Sequence, residues 1–244
     1  MTFPQLARSF TMIRSPLATP PSAPASTAGG RFLVVSFHDL APHTQPPCQE
    51  LLLQLSDLGV PRASLLAVPN GVESIADRPF FTRWLRSLSE AGHEVCLSGL
   101  AAGPAEAIRE GERILAAMGC PARGYVAPAK LLSPDAREVL RRYGFDYTVT
   151  SRHVHLLKED RRITAPNVAF SVRSFWRRLA SPLLGRLRFA AARQAPVLRI
   201  SVHPDDLYEH GVRRTLVALL REGLQDREPV TYGELAGRAS LQGL

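Results

Sequence analysis

Residues 32–42 read FLVVSFHDLAP, and this stretch constrains the chain more than any other. From Phe32 to Phe37 it is apolar apart from Ser36 and too short for a helix. Such a run fits a strand buried on both faces, as in a parallel sheet. His38 and Asp39 follow, and Leu40-Ala41-Pro42 ends the run. In α/β folds, polar residues at the carboxyl end of a strand point into the ligand crevice. Two ionisable groups at that spot are costly unless they bind or catalyse something, since an unpartnered buried charge costs on the order of several kcal/mol. The plainer alternative is that Asp39 caps the next helix and His38 is a satisfied neighbour.

The rest of the chain repeats the alternation of short apolar runs with helical stripes. Pro46 to Leu58 carries five leucines at helical spacing and is closed by Gly59. Strands are predicted at Ala63–Val68, His93–Leu97, Gly124–Val126, Asp146–Thr150, Val197–Val202 and Val230–Tyr232. Helices are predicted at Phe80–Glu90, Pro104–Met118, from the Ser133 cap to Gly144, at Phe175–Ala192 despite Pro182 and Gly185, and at His210–Glu222. Residues 151–172 read as irregular or short-stranded. Strand–helix alternation of this kind implies βαβ units around a parallel sheet or barrel. An open Rossmann-like sheet shares the pattern, but HDLAP replaces the G-x-G-x-x-G fingerprint after the first strand. No linker interrupts the middle, so one folded domain over 31–244 is expected. Residues 1–30, ending TPPSAPASTAGG, are expected to be a flexible Pro/Ala/Ser-rich tail.

Composition narrows the function classes. Apolar content of 45% and charged content of 21% are those of an ordinary globular chain. The formal charge of +8 is almost all arginine, with Lys130 and Lys158 the only lysines. No basic block is interleaved with aromatics, so nucleic-acid binding is not expected. Cys48, Cys96 and Cys120 form no C-x-x-C pair, which fits a reducing compartment. No stretch approaches the ~20 apolar residues of a membrane helix, and the first thirty lack the apolar core of a secretory signal. A cytoplasmic location follows as the expectation, and the oligomeric state is left open.

The carboxyl ends of the predicted strands carry SFHDLAP (36–42), GHEVCLSGLAA (92–102), RGYVAPAKLLS (123–133) and RISVHPDDL (199–207). In that order they resemble the polysaccharide deacetylase superfamily, the NodB-like carbohydrate esterases, and in particular a divergent intracellular branch whose first motif reads H-D. The resemblance spans roughly 31–234. It implies an irregular (β/α) barrel of about seven strands and a hydrolase that removes an acyl group from an N- or O-acylated, sugar-like substrate. Carried over by position, it makes Asp39 the metal ligand, His38 the occupant of the base position and His203 the general acid, with Asp206 behind it. Ser98, Pro128 and Lys130 fall where substrate is contacted. The family's metal-binding H-x-x-x-H is represented by Ser98 and Ala102, and Val126-Ala127 occupies the region of the base-supporting arginine. The implied divalent metal, zinc or magnesium, would thus have a degenerate site.

Other residues invite chemistry of their own. His153 and His155, two apart, would share one face of a strand and could chelate a metal, or could be ordinary surface residues. His93 opens a strand and should lie at the far end of the barrel, while parity leaves Cys96 facing either the lumen or the helices. Asp205 and Asp206 could orient the His203 imidazole or cap the helix that follows. Arg173, Arg177, Arg178, Arg186 and Arg188, with Phe175 and Trp176, form a basic interrupted helix that reads as a solvated lid or as an interfacial patch. Three function classes follow: a deacetylase-like hydrolase on a carbon–nitrogen or ester bond, a catalytically decayed barrel that binds or regulates, and a basic protein docking to an anionic surface.

Overall fold

The computed structural model describes residues 30–69, 75–98, 105–127, 134–170 and 175–242. In chain order these form β1 (Phe32–Leu40), α1 (Gln45–Asp57), β2 (Ser64–Ala67), α2 (Pro79–Glu90), β3 (Glu94–Ser98), α3 (Ala105–Ala117), β4 (Gly124–Val126), α4 (Pro134–Arg142), β5 (Tyr147–Val149), β6 (His153–Leu156), β7 (Arg161–Thr164) and β8 (Asn167–Ala169). There follow α5 (Phe175–Ala192), β9 (Val197–Val202), α6 (Pro204–Tyr208), α7 (His210–Gly223), β10 (Glu228–Val230) and α8 (Tyr232–Gln242). The tail through residue 29, together with Ala102, Pro128 and Lys130, lies outside the described residues.

All ten strands belong to one curled sheet ordered β7-β6-β5-β4-β3-β2-β1-β9-β8, with β10 beside the first half of β1. Pairing is parallel except at β5–β6 and β6–β7. The fold class is the expected α/β class with an irregular, barrel-like sheet, here curled into a half-barrel. Its strand count exceeds seven because residues 151–172 supply the antiparallel β6–β7 hairpin and the short β8. β1 sits at the centre for the reason its sequence suggests: with β9 along one side and β2 and β10 along the other, it has no free edge for water to reach.

Strand alternation divides the core in two. Leu33, Val35 and Phe37 of β1 join Leu198, Ile200 and Val202 of β9 under the helices. Phe32 and Val34 face a separate apolar lumen with Leu66, Cys96, Val126, Tyr147, Val197 and Tyr232. Cys96 thus faces the lumen.

The amino end of the barrel is closed by α8. Its Tyr232 N–H donates to Ser64 Oγ (2.9 Å) and its Gly233 N–H to Glu94 Oε2 (3.0 Å). Ser64 Oγ–H donates to the same carboxylate oxygen (2.9 Å), and Tyr147 O–H to the other (2.5 Å). Burial pushes the Glu94 pKa up, against the pull of these donors. Next to it, His93 Nδ1 accepts the Ala63 N–H at 3.1 Å. The GHEV stretch is therefore scaffold at the end of the barrel remote from the carboxyl-terminal strand ends, as expected for His93.

The two ends of the sheet path, β7 and β8, are joined in sequence by Ala165 and Pro166 alone. Arg199 of β9 ties this seam across the lumen. The residue is 2% exposed, and its guanidinium donates to the carbonyls of Ala165 (2.6 Å), Thr150 (2.9 Å) and Ser151 (2.7 Å).

Candidate functional site

β1 and β9 run parallel with Ser36 opposite Ser201 and Phe37 opposite Val202. Both strands carry S-x-H at or near their carboxyl ends, at 36–38 and 201–203. This register sets serine beside serine and brings histidine beside histidine at the carboxyl ends. The Ser36 and Ser201 hydroxyls are 3.2 Å apart, and the His38 and His203 rings stack at 4.7 Å between centroids. That spacing is close to the ~4.8 Å between neighbouring strands. The first and last motifs therefore meet at one end of the barrel, as expected.

The hydrogen bonds fix the direction of the His38 ring. Ser201 donates its single proton to Asn167 Oδ1 (3.0 Å), so its contact with His38 Nε2 (3.0 Å) requires Nε2–H as donor. The Nδ1 lone pair of His38 is left as an acceptor. Burial lowers the His38 pKa to about 3, aided by His203 and by Arg199, so the ring is neutral through the physiological range. Tyr232 O–H, 3.4 Å from Ser36 Oγ, links this polar cluster to the closing helix.

His203 is held differently. It stands in extended conformation before α6, whose first residue is Pro204. Asp206, 1% exposed, accepts the His203 backbone N–H at 3.0 Å and lies 3.7 Å from His203 Nδ1. One carboxylate thus caps the helix and sets a negative charge behind the imidazole, so the two readings of Asp206 are compatible.

Asp39, the next residue along β1, lies at an irregularity of the strand. Adjacent strand residues point to opposite faces, and the β1–β2 register slips by one residue between Phe37 and Leu40. Asp39 occupies this bulge with φ of 52° and is exposed, while Leu40 returns to the core under the helices. Ser98 ends β3, half-buried. Among the described residues no three His, Cys, Asp or Glu side chains are grouped to hold a metal ion. One exposed carboxylate and a neutral hydroxyl do not make the three-ligand set of a catalytic zinc site. The donors among the described residues therefore do not fit the implied metal.

His153 and His155 share one side of β6, with ring centroids 5.8 Å apart. They sit among cations. Both pKa values are lowered, first by burial and then by nearby arginines, Arg162 among them. His155 lines a cavity of about 410 Å³ with Arg137, Arg161, Arg162 and Asp160. This arrangement repels a metal cation. The basic helix α5 packs on β8 and α7, with Gly185 against the Phe170 ring and Phe189 near Gly223. Its described residues therefore flank the barrel and do not form the expected lid.

No family model and no curated protein matches the chain. Among solved structures, the polysaccharide deacetylase Bc1974 from Bacillus cereus superposes with a TM-score of 0.51 at 14% identity, covering 80% of this chain and 87% of that one. A 4-alpha-glucanotransferase from Thermococcus litoralis gives 0.49 at 13% identity, over 84% of this chain but only 40% of the transferase. A Thermotoga maritima phospho-2-dehydro-3-deoxyheptonate aldolase gives 0.47 at 13% identity, over 83% of this chain and 71% of that one. At 14% identity the likeness to the Bacillus deacetylase is one of fold alone.

Proposed function

We propose that the protein is a deacetylase-like hydrolase that cleaves an acyl group from an N- or O-acylated, sugar-like substrate through His38 and His203. The observation that carries this reading is the stacked histidine pair at the carboxyl ends of β1 and β9, one ring bonded to Ser201 and the other backed by Asp206. In this reading His38 Nδ1 accepts the proton of the attacking water. A group held neutral by burial is always available as an acceptor, although its low basicity makes it a weak base. His203, with the Asp206 charge behind it, delivers a proton to the departing nitrogen or oxygen. The carbonyl carbon gains the water oxygen, its bond to the leaving atom breaks, and the acid and the freed amine or alcohol are released. Ser98, Pro128 and Lys130 are assigned to substrate contact by their motif positions, and the fold shared with the Bacillus deacetylase supports the substrate class by analogy.

Acetate release from N-acetylglucosamine oligomers and from p-nitrophenyl acetate tests the proposal, with wild type beside His38→Gln and His203→Gln. The expected result is measurable release that falls about 10²–10⁴-fold in either variant. Wild-type protein that binds the oligomers in calorimetry yet releases no acetate would overturn the enzyme reading and leave the decayed, binding barrel.

A further inference from the structure

Between Asp160 and Asp205 the chain carries nine arginines and no acidic residue. The whole chain has thirty lysines and arginines against twenty-two acidic residues, so outside this segment twenty-one basic groups meet twenty-two acidic ones. The entire positive excess therefore belongs to one stretch, and α5 lies within it.

The helix presents two apolar faces. Ser181, Gly185, Phe189 and Ala192 are buried against the barrel. On the opposite side Leu183 is 63% exposed, Leu184 44% and Leu187 58%, and Ala190 and Ala191 extend the same outward face. Isolated surface leucines are commonplace, but three within five positions on one face make a stripe. Arg186 and Arg188, next to Leu187 in sequence, fall about 100° to either side of it around the helix. Both are exposed, as is Arg193 just past the end of the helix. Arg188 also donates to the Ala169 carbonyl of β8 (2.7 Å), and Arg193 lies 3.6 Å from Glu222 of α7, so these two also tie the helix to the barrel.

An apolar stripe edged by arginines on a helix without acidic residues is the pattern of a helix lying in a bilayer interface. No described helix is long and apolar enough to cross a membrane, so the contact would be with its surface. We propose that α5 docks the protein on an anionic lipid bilayer, with Leu183, Leu184 and Leu187 entering the headgroup boundary and the flanking arginines meeting lipid phosphates. Charge complementarity chooses this occupant. Each arginine near an anionic leaflet adds to the attraction, and leucines gain by leaving water. A duplex nucleic acid would use the arginines and leave the leucines in water.

Sedimentation of the full chain with phosphatidylglycerol–phosphatidylcholine vesicles tests this, with pure phosphatidylcholine vesicles alongside. Binding is expected only with the anionic vesicles, and it should fade as salt shortens the screening length from ~10 Å at 0.1 M to ~3 Å at 1 M. Leu183→Ser/Leu187→Ser and, separately, Arg186→Glu should each weaken it about tenfold or more. Melting temperatures should stay unchanged, because these side chains face outward. Leu53→Ser, at another exposed leucine on α1 (65%), should bind like wild type. Equal binding to neutral vesicles, full binding by the leucine variant, or an equal loss in Leu53→Ser would overturn the proposal. So would binding to duplex DNA without binding to either vesicle.

Discussion

Arg199→Met removes the tie across the barrel seam while keeping most of the side-chain length. The guanidinium makes three bonds to backbone carbonyls, of Ala165, Thr150 and Ser151, and the residue is 2% exposed. A hydrogen bond from a charged donor contributes about 1.5–3 kcal/mol, and a carbonyl left buried without a donor adds its own cost. Three such bonds on one group are not additive, and the thioether recovers some packing, so the expected loss is about 3–5 kcal/mol. That is a large share of the roughly 5–15 kcal/mol that holds a typical domain folded. At about 2–4 °C per kcal/mol for a chain of this size, the melting temperature should drop by roughly 6–20 °C. Urea unfolding followed by circular dichroism measures the loss directly. A second readout separates this role from generic packing: Arg199 is one of the charges that hold the His38 pKa down. In the variant His38 should titrate higher, though still below its ordinary value, since burial is the larger cause. A stability change under about 1 kcal/mol with an unmoved His38 titration would refute the seam argument.

Stability should also follow pH through His38, whose pKa is about 3 in the fold against 6.5 ordinarily. Between those values the unfolded chain holds one proton more, so stability rises with pH there and is lost as pH falls from 6.5 toward 3, by at most ~1.4 kcal/mol per unit. Denaturant titrations at pH 4 and 7 should show a shallower slope in His38→Gln than in wild type; identical slopes would contradict the assignment. At Gly124 an added Cβ would lie 2.0 Å from Tyr147 Cζ. Gly124→Ala should therefore cost about 1–3 kcal/mol or more in urea unfolding, and a neutral outcome would mean that the Tyr147 ring does not pack on β4. Calorimetric zinc titration of wild type is expected to show no tight site. Stoichiometric zinc abolished by Asp39→Ala would reveal ligands that the described residues do not group.

Much of this architecture was legible from residue pattern. The run 197–202 is the observed β9, because a six-residue run rich in β-branched residues is too short for a helix. The three residues 124–126, the observed β4, were readable only from the turn signals around them and their place in the strand–helix alternation. Residues 151–172 were opaque, since strands of three and four residues carry too little pattern to separate from loop. At the site, His38, His203 and Asp206 could be found from their strand-end positions. Ser36, Ser201 and Asn167 were missed, although the repeated S-x-H was visible. Its meaning depends on register, and nothing local says that 36 stands beside 201. Asp39 was misleading for a related reason. Read as a straight strand end it belongs in the crevice, whereas the structure places it in a bulge with positive φ, which no local pattern announces.

The central place of β1 has a consequence for synthesis. Apart from β2, its partners are β9 and β10, whose residues leave the ribosome some 165 and 196 positions later. Until then the apolar run 32–37 emerges with at least one long edge unpaired, without charge or proline to discourage pairing with another chain. Non-local pairing of this kind slows folding and prolongs exposure. Chains stalled or truncated before residue 228 lack the strand that completes β1 and the helix that closes the barrel. Such fragments should aggregate, so the final stretch of this chain acts as the step that makes nascent product safe from its own first strand.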